Sequence, residues 1–142
     1  MCGGCAPGSG PPVSSIPLDS MPIVTVELVA DPYPPLERNL TQALADTVGH
    51  VLSSPPGQTW IRLRLLARNG YAENDALVDA AALPVFVTLL ERHPPTGAEL
   101  QAAVTALTRA IAQIIGRPAA CVHVEYAPAA VGRLSFGGKL VQ

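Results

Sequence analysis

Few residues in this sequence can do chemistry, and they fall at separate points along it. Cys2-Gly-Gly-Cys5 has the C-x-x-C spacing of half a zinc site or a redox pair. No second ligand pair follows and no strand–helix context surrounds it, so it is expected to be part of a Gly/Pro-rich segment without a core. Arg62 and Arg64 alternate with apolar residues in QTWIRLRLL, which puts both guanidinium groups and Trp60 on one face of a strand. Such a face can hold an anion, or it can be a solvated surface or a salt-bridged subunit contact. Arg92 and His93 follow another apolar strand, and His123 stands in CVHVEY. Tyr71, Glu73 and Asn74 in RNGYAEN are hydrogen-bonding groups on a polar linker, where Asn69-Gly70 suits a tight hairpin. Met21-Pro22 opens an alternating apolar strand after twenty residues of quite different character. Proline is common at the first residue of a strand for conformational reasons alone.

The elements that must position these residues repeat. PIVTVELV (22–29) is an alternating, β-branched strand. Tyr33-Pro34-Pro35 stops it and opens a helix, in which Leu36, Leu40, Ala43, Leu44, Val48, Val51 and Leu52 recur at helical spacing. A second strand spans 58–66, with Ile61, Leu63 and Leu65 on one face and Trp60, Arg62 and Arg64 on the other. The second half follows the same plan. A strand spans 83–91, and Thr96 and Glu99 form a capping box. A helix with a stripe from Leu100 to Ile115 ends at Gly116-Arg117-Pro118, and a last strand spans 121–126, with Cys121 a small core residue. Laying the halves over each other puts Pro22 on Pro84 and Trp60 on His123, offsets of 62 and 63 residues. The pattern is a duplicated β-α-β unit with right-handed crossovers. Unit one covers 22–66, a linker 67–82 and unit two 83–142, after a leader of residues 1–20.

Composition narrows the function classes. Only 14% of the 142 residues are charged and 49% are hydrophobic, too few charges to cover a small free monomer, so surface is expected to be buried between copies. A net charge of −2 argues against a nucleic-acid or acidic-membrane partner. No apolar run approaches the ~18 residues of a membrane span. The leader has no basic n-region and no apolar h-region, so the expected compartment is the reducing cytoplasm.

Three stretches on this duplicated unit resemble the tautomerase superfamily. MPIVTVELV is similar to the family's amino-terminal strand after its initiating Met, and RPAACVHVEYAP is similar to the helix-to-strand passage of short 4-oxalocrotonate tautomerase subunits. GRLSFGGKL (132–140) is similar to their Gly-rich hairpin. The resemblance covers 22–140 and implies an α/β (α+β) fold: a four-stranded sheet with two helices on one face, tautomerase/MIF-like, in a homotrimer of fused two-unit chains. It also implies a cofactor-independent isomerase with no metal, acting on a small enol, 2-hydroxy-dienoate or α-keto acid.

The resemblance makes Pro22 the general base. A free amino-terminal proline is a secondary amine, whereas an amide nitrogen has no basic lone pair; burial beside arginines is expected to lower its pKa from ~8 towards neutrality. The role therefore requires that residues 1–21 be absent from the mature chain, the leader being a removable extension or the product of an upstream start. Arg62, Arg64, Arg92 and His123 are the implied substrate-binding residues. His123 departs from the family's Val-Arg-Val, and a neutral histidine holds a carboxylate more weakly than a bidentate arginine. Leu134 stands where those relatives have a pocket aromatic, and ADPYPP lacks the arginine expected after the first strand. Decarboxylation or hydration by the same proline is the enzymatic variant. The alternative class is a non-catalytic trimeric binding or scaffold protein whose Pro22 is blocked by the leader.

Overall fold

The computed structural model describes residues 21–31 and 39–142. The leader with Cys2 and Cys5, and the expected helix start at Tyr33-Pro34-Pro35 with Leu36, lie outside the described residues. The described chain forms β1 (Ile23–Ala30), α1 (Leu40–Val51), β2 (Trp60–Ala67), β3 (Val85–Leu90), α2 (Gly97–Ile115), β4 (Val122–Tyr126) and a short hairpin of β5 (Ser135–Phe136) and β6 (Lys139–Leu140). The sheet order is β2-β1-β3-β4. Both outer pairs are parallel and the central pair is antiparallel.

Strand alternation decides the two faces. Val24, Val26 and Leu28 of β1 and Val85, Val87 and Leu89 of β3 are buried with Leu44 and Val48 of α1 and Leu107 and Ile111 of α2. Burying such side chains against two amphipathic helices supplies the main driving force, roughly 1.5–3 kcal/mol for each fully covered aliphatic residue. The opposite face carries Ile23, Thr25 and Glu27 on β1, in register with Trp60, Arg62 and Arg64 on β2. Phe86, Thr88 and Leu90 continue it on β3, and His123 and Glu125 on β4. Leu65 shares its face with Ile61 and Leu63, which pack against the core, but is 45% exposed near the far end of the edge strand.

The halves are related by a uniform shift. Leu44, Val48 and Gly49, the buried residues of α1, correspond to Leu107, Ile111 and Ala112 of α2, each 63 residues later. Ser53 (φ 53°) holds the left-handed position that Gly116 (φ 75°) holds in unit two. The same shift carries Ile23 onto Phe86 and Trp60 onto His123, which lie on the same face of the sheet. A shift of 62 would exchange the faces, so the expected match of Pro22 with Pro84 is corrected: Pro22 corresponds to Val85. Thr25 and Thr88, opposite each other at the centre of the β1–β3 pair, mark the pseudo-twofold.

Three local expectations change. Thr96 is the N-cap of α2, but its side chain makes no capping hydrogen bond, so Glu99 aids the first turn only through the helix dipole. Asn69-Gly70 lies in a 3₁₀ turn (Arg68–Gly70), not a hairpin, because β2 neighbours β1 and the linker must cross to β3. Cys121 is a half-buried free thiol in a 3₁₀ turn (Ala119–Cys121) just before β4. No helix among the described residues is long and apolar enough to cross a membrane.

Arg117, just past α2, ties the layers together. Its guanidinium donates to the Leu83 carbonyl and to the Val29 carbonyl at 2.9 Å, joining the end of β1 to the approach to β3. Charged hydrogen bonds of this kind contribute about 1.5–3 kcal/mol each. Arg117→Met, which keeps an apolar stem, should therefore destabilise the chain by at least about 1.5 kcal/mol in urea unfolding.

Candidate active site

The amino end of β1, the carboxyl ends of β3 and β4 and the start of β2 meet at one end of the sheet. Pro22 stands there, less than 2% exposed. Its carbonyl accepts the Trp60 N–H at 3.0 Å, which ties the residue just before β1 to the first residue of β2. In the full chain its nitrogen is the planar, non-basic amide joined to Met21. Ile23, the next residue, lines an open-sided cleft of about 510 Å³ together with Thr25, Trp60, Arg62, Thr88, Leu90, Ala127 and Leu134. The cleft combines apolar walls with one guanidinium and two hydroxyls, a composition suited to a small, partly apolar anion.

Arg62 is held by alternation on β2 and by a hydrogen bond from its Nη2 to Thr25 Oγ1 at 3.1 Å. Trp60 donates its indole N–H to the Gly57 carbonyl (3.2 Å) and meets Phe136 edge-on, with ring centroids 4.8 Å apart. The hairpin therefore folds back over the open face of its own sheet. Gly137 and Gly138, both at positive φ, make the tight turn that brings Phe136 there. Phe136 supplies an aromatic ring at this end, while Leu134 forms part of the cleft wall.

The other expected residues are distributed differently. Arg64 lies two residues further along β2, in register with Glu27 and outside the cleft lining. Arg92 follows β3 at the Pro22 end of the sheet and is half-buried. His123 is not brought to Pro22. It stacks at 5.5 Å on Phe86, which pairs with Glu27, five residues and about 16 Å along β1 from Pro22. Tyr71 lies 6.0 Å from Phe86, with its hydroxyl donating to Glu73 Oε1 at 2.8 Å, so the linker groups belong to that other end. Asn74 is exposed. Among the described residues no three His, Cys, Asp or Glu side chains gather closely enough to hold a metal ion.

Two groups at the Pro22 end escape a reading of the sequence. Glu91 directly follows β3, and burial pushes its carboxyl above the usual range. Tyr126 closes β4; burial, and secondarily the Glu91 charge, push its phenol up to about 12. The Tyr126 hydroxyl is buried with no hydrogen-bond partner among the described residues. Strand order and register are needed to bring these two together; spacing in the chain gives no hint.

The Tyr126 shift has a defined sign. The folded state keeps the phenolic proton to higher pH than the unfolded chain, so this stabilisation is complete below pH ~10 and is lost as pH rises towards about 12. Unfolding free energy should fall across that window, and Tyr126→Phe should flatten the fall.

No protein-family model and no curated protein matches the chain. Solved structures do. A fused 4-OT wild-type asymmetric trimer, F6, aligns at 20% identity and a TM-score of 0.65, over 82% of this chain and 94% of its own. Pt0534 inactivated by 2-oxo-3-pentynoate aligns at 15% identity and 0.67, over 84% and 94%. The FG41 malonate semialdehyde decarboxylase inhibited by 3-bromopropiolate aligns at 21% identity and 0.61, over 81% and 88%. Likeness at these identities establishes architecture: this chain is a tandem β-α-β protein with the fold of the fused 4-OT structures.

Proposed function

We propose that the chain is a cofactor-independent tautomerase, with Pro22 as its general base once residues 1–21 are removed. The observation that carries this reading is the position of Pro22, buried at the start of β1 directly before the residue that lines an arginine-bearing cleft. Freed, its nitrogen becomes a secondary amine able to take a proton from a carbon or hydroxyl beside a carbonyl and return it along the conjugated system. Arg62 fits the role of clamp on the substrate carboxylate and on the developing enolate. Thr25, which already accepts a hydrogen bond from Arg62, steadies that side chain. Arg64, Arg92 and His123 are proposed as further substrate contacts, His123 in a site completed across a subunit boundary.

The assembly proposed is a homotrimer. The low charge content, the uncovered face of the sheet and its two edge strands favour burial between copies, and two of the similar structures are trimers of fused 4-OT. Light scattering should give the mass of a trimer; a monomer would remove the shared site. The decarboxylase among the similar structures keeps decarboxylation as a variant of the same proline chemistry.

A second reading has its own support. With residues 1–21 attached, Pro22 is both buried and acylated, which leaves the cleft able to bind an anion without turning it over. The chain beginning at Pro22 and the full chain separate the two readings in an assay with phenylenolpyruvate. The shorter form should ketonise the enol, its Pro22→Ala variant should lose at least about 90% of that rate, and the full chain should be as inactive as the variant. The magnitude follows the 10²–10⁴-fold usually supplied by a positioned base, reduced because a terminal alanine is still an amine. Equal turnover by all three would leave the binding protein as the better account.

A further inference from the structure

β1 and β3 pair antiparallel with Ile23 opposite Leu90, and the ladder extends at its far end to a Val29 N–H donating to the Pro84 carbonyl. The same register taken one residue past Ile23 sets Pro22 opposite Glu91. Backbone hydrogen bonds tell which kind of pair this is. The Pro22 carbonyl turns to the Trp60 N–H of β2, and the Glu91 carbonyl turns to the Ala130 N–H at 2.8 Å, so each points away from the other. That is the non-hydrogen-bonded type of antiparallel pair, with Cα atoms about 4.5 Å apart and side chains at their closest. Both side chains have the parity of the helix-covered face, the face to which Tyr126 belongs.

We propose that Glu91 is the counter-ion of the Pro22 amine, holding the ammonium that Pro22 becomes when it takes the substrate proton. The inference rests on the reading of Pro22 as the base. In the step, the nitrogen lone pair forms the new N–H bond and the broken C–H or O–H bond leaves its electron pair on the substrate as an enolate. The proton later returns to the neighbouring carbon, and Glu91 keeps its own charge throughout.

The other titratable and charged groups at this end are Tyr126 and Glu125 on β4, Arg62 on β2, Arg92 and His93 after β3, His50 in the last turn of α1, Glu99 in the first turn of α2, Arg133 before the hairpin and Lys139 within it; Glu125 is exposed and shares the Arg62 face, opposite to that of Glu91. Tyr126 is neutral at ordinary pH. Arg62 is on the opposite face, in register with Thr25 three residues from Pro22, with one nitrogen engaged by the Thr25 hydroxyl. Glu99 is exposed and on a different element, so Glu91 is the carboxylate in direct cross-strand position. Burial raises the Glu91 carboxyl, which means that its charged form lacks solvation there and gains from an adjacent cation. An opposite charge within ~4–6 Å favours the charged amine. The released Pro22 nitrogen therefore titrates above the ordinary α-amine value of ~8 instead of near neutrality, and turnover rises into the alkaline range.

The test is competitive acetylation by acetic anhydride, read by mass spectrometry of the amino-terminal peptide, in chains beginning at Pro22. These chains retain every described strand and helix and every buried core residue. The parent should acetylate with a midpoint above pH ~8, Glu91→Gln with a midpoint lower by about one unit or more, and Glu91→Asp near the parent. Equal midpoints in parent and Glu91→Gln overturn the pairing. Should Glu91→Gln fail to fold, a parent midpoint below the ordinary α-amine value overturns it equally. Enol turnover measured on the same samples separates the two layers. Shifted midpoints without turnover sink the enzymatic reading and leave the Glu91 pairing in place, whereas turnover with unshifted midpoints does the reverse.

Discussion

The antiparallel pairing of β1 with β3 is the constraint on which the rest of the molecule depends. Each β-α-β unit alone is a two-stranded parallel sheet with one helix, too little to enclose a core. Joining two such units through their first strands, with Thr25 against Thr88 at the centre, produces one sheet with one continuous apolar face, and both helices share it. The same pairing decides what lies at each end. Because β3 runs opposite to β1, the first residues of β1 meet the last residues of β3, so Pro22 lies at the end of the sheet where Glu91 follows β3 and where β4 ends.

That arrangement also separates the two halves chemically. The pseudo-twofold supplies two equivalent ends, but they are furnished differently. At one end Pro22 starts β1 beside Trp60, Arg62, Phe136 and a cleft. At the other, Val85 takes the place of Pro22 and His123 takes the place of Trp60, with Phe86 packed against the imidazole and Tyr71 against Phe86. An internal residue such as Val85 can never offer a free amine, so amine chemistry is open only to the Pro22 end, and there only once residues 1–21 are removed as proposed. The second end is released to serve packing, the linker or contact with another copy.

Much of the architecture was legible in the residues because its signals are local. Alternation in IVTVELVA and VFVTLL, helical spacing from Leu100 to Ile115 and the left-handed Gly116 each specify an element without reference to the remainder. The repeat was legible too, although its shift was misjudged by one residue at Pro84, because a proline match outweighed face parity. Asn69-Gly70 misled for a related reason: turn chemistry says that the chain bends, and only strand order says whether the bend joins sheet neighbours. The placement of the candidate site's residues was legible in part. Pro22 and Arg62 announce themselves by position and alternation, whereas Glu91 and Tyr126 acquire their environment through register, burial and a neighbouring strand. Arg117, separated from the carbonyl of Val29 by most of the chain, was likewise invisible.

The central claim is that Pro22 ends its life in the cell as an amine and not an amide, since every proposed step begins from its lone pair. Intact mass measurement of the protein purified from its native source tests this directly. The account predicts the mass of a chain that begins at Pro22. A mass that includes Met21, or the whole sequence from Met1, would contradict it and leave an anion-binding protein built on a tautomerase fold.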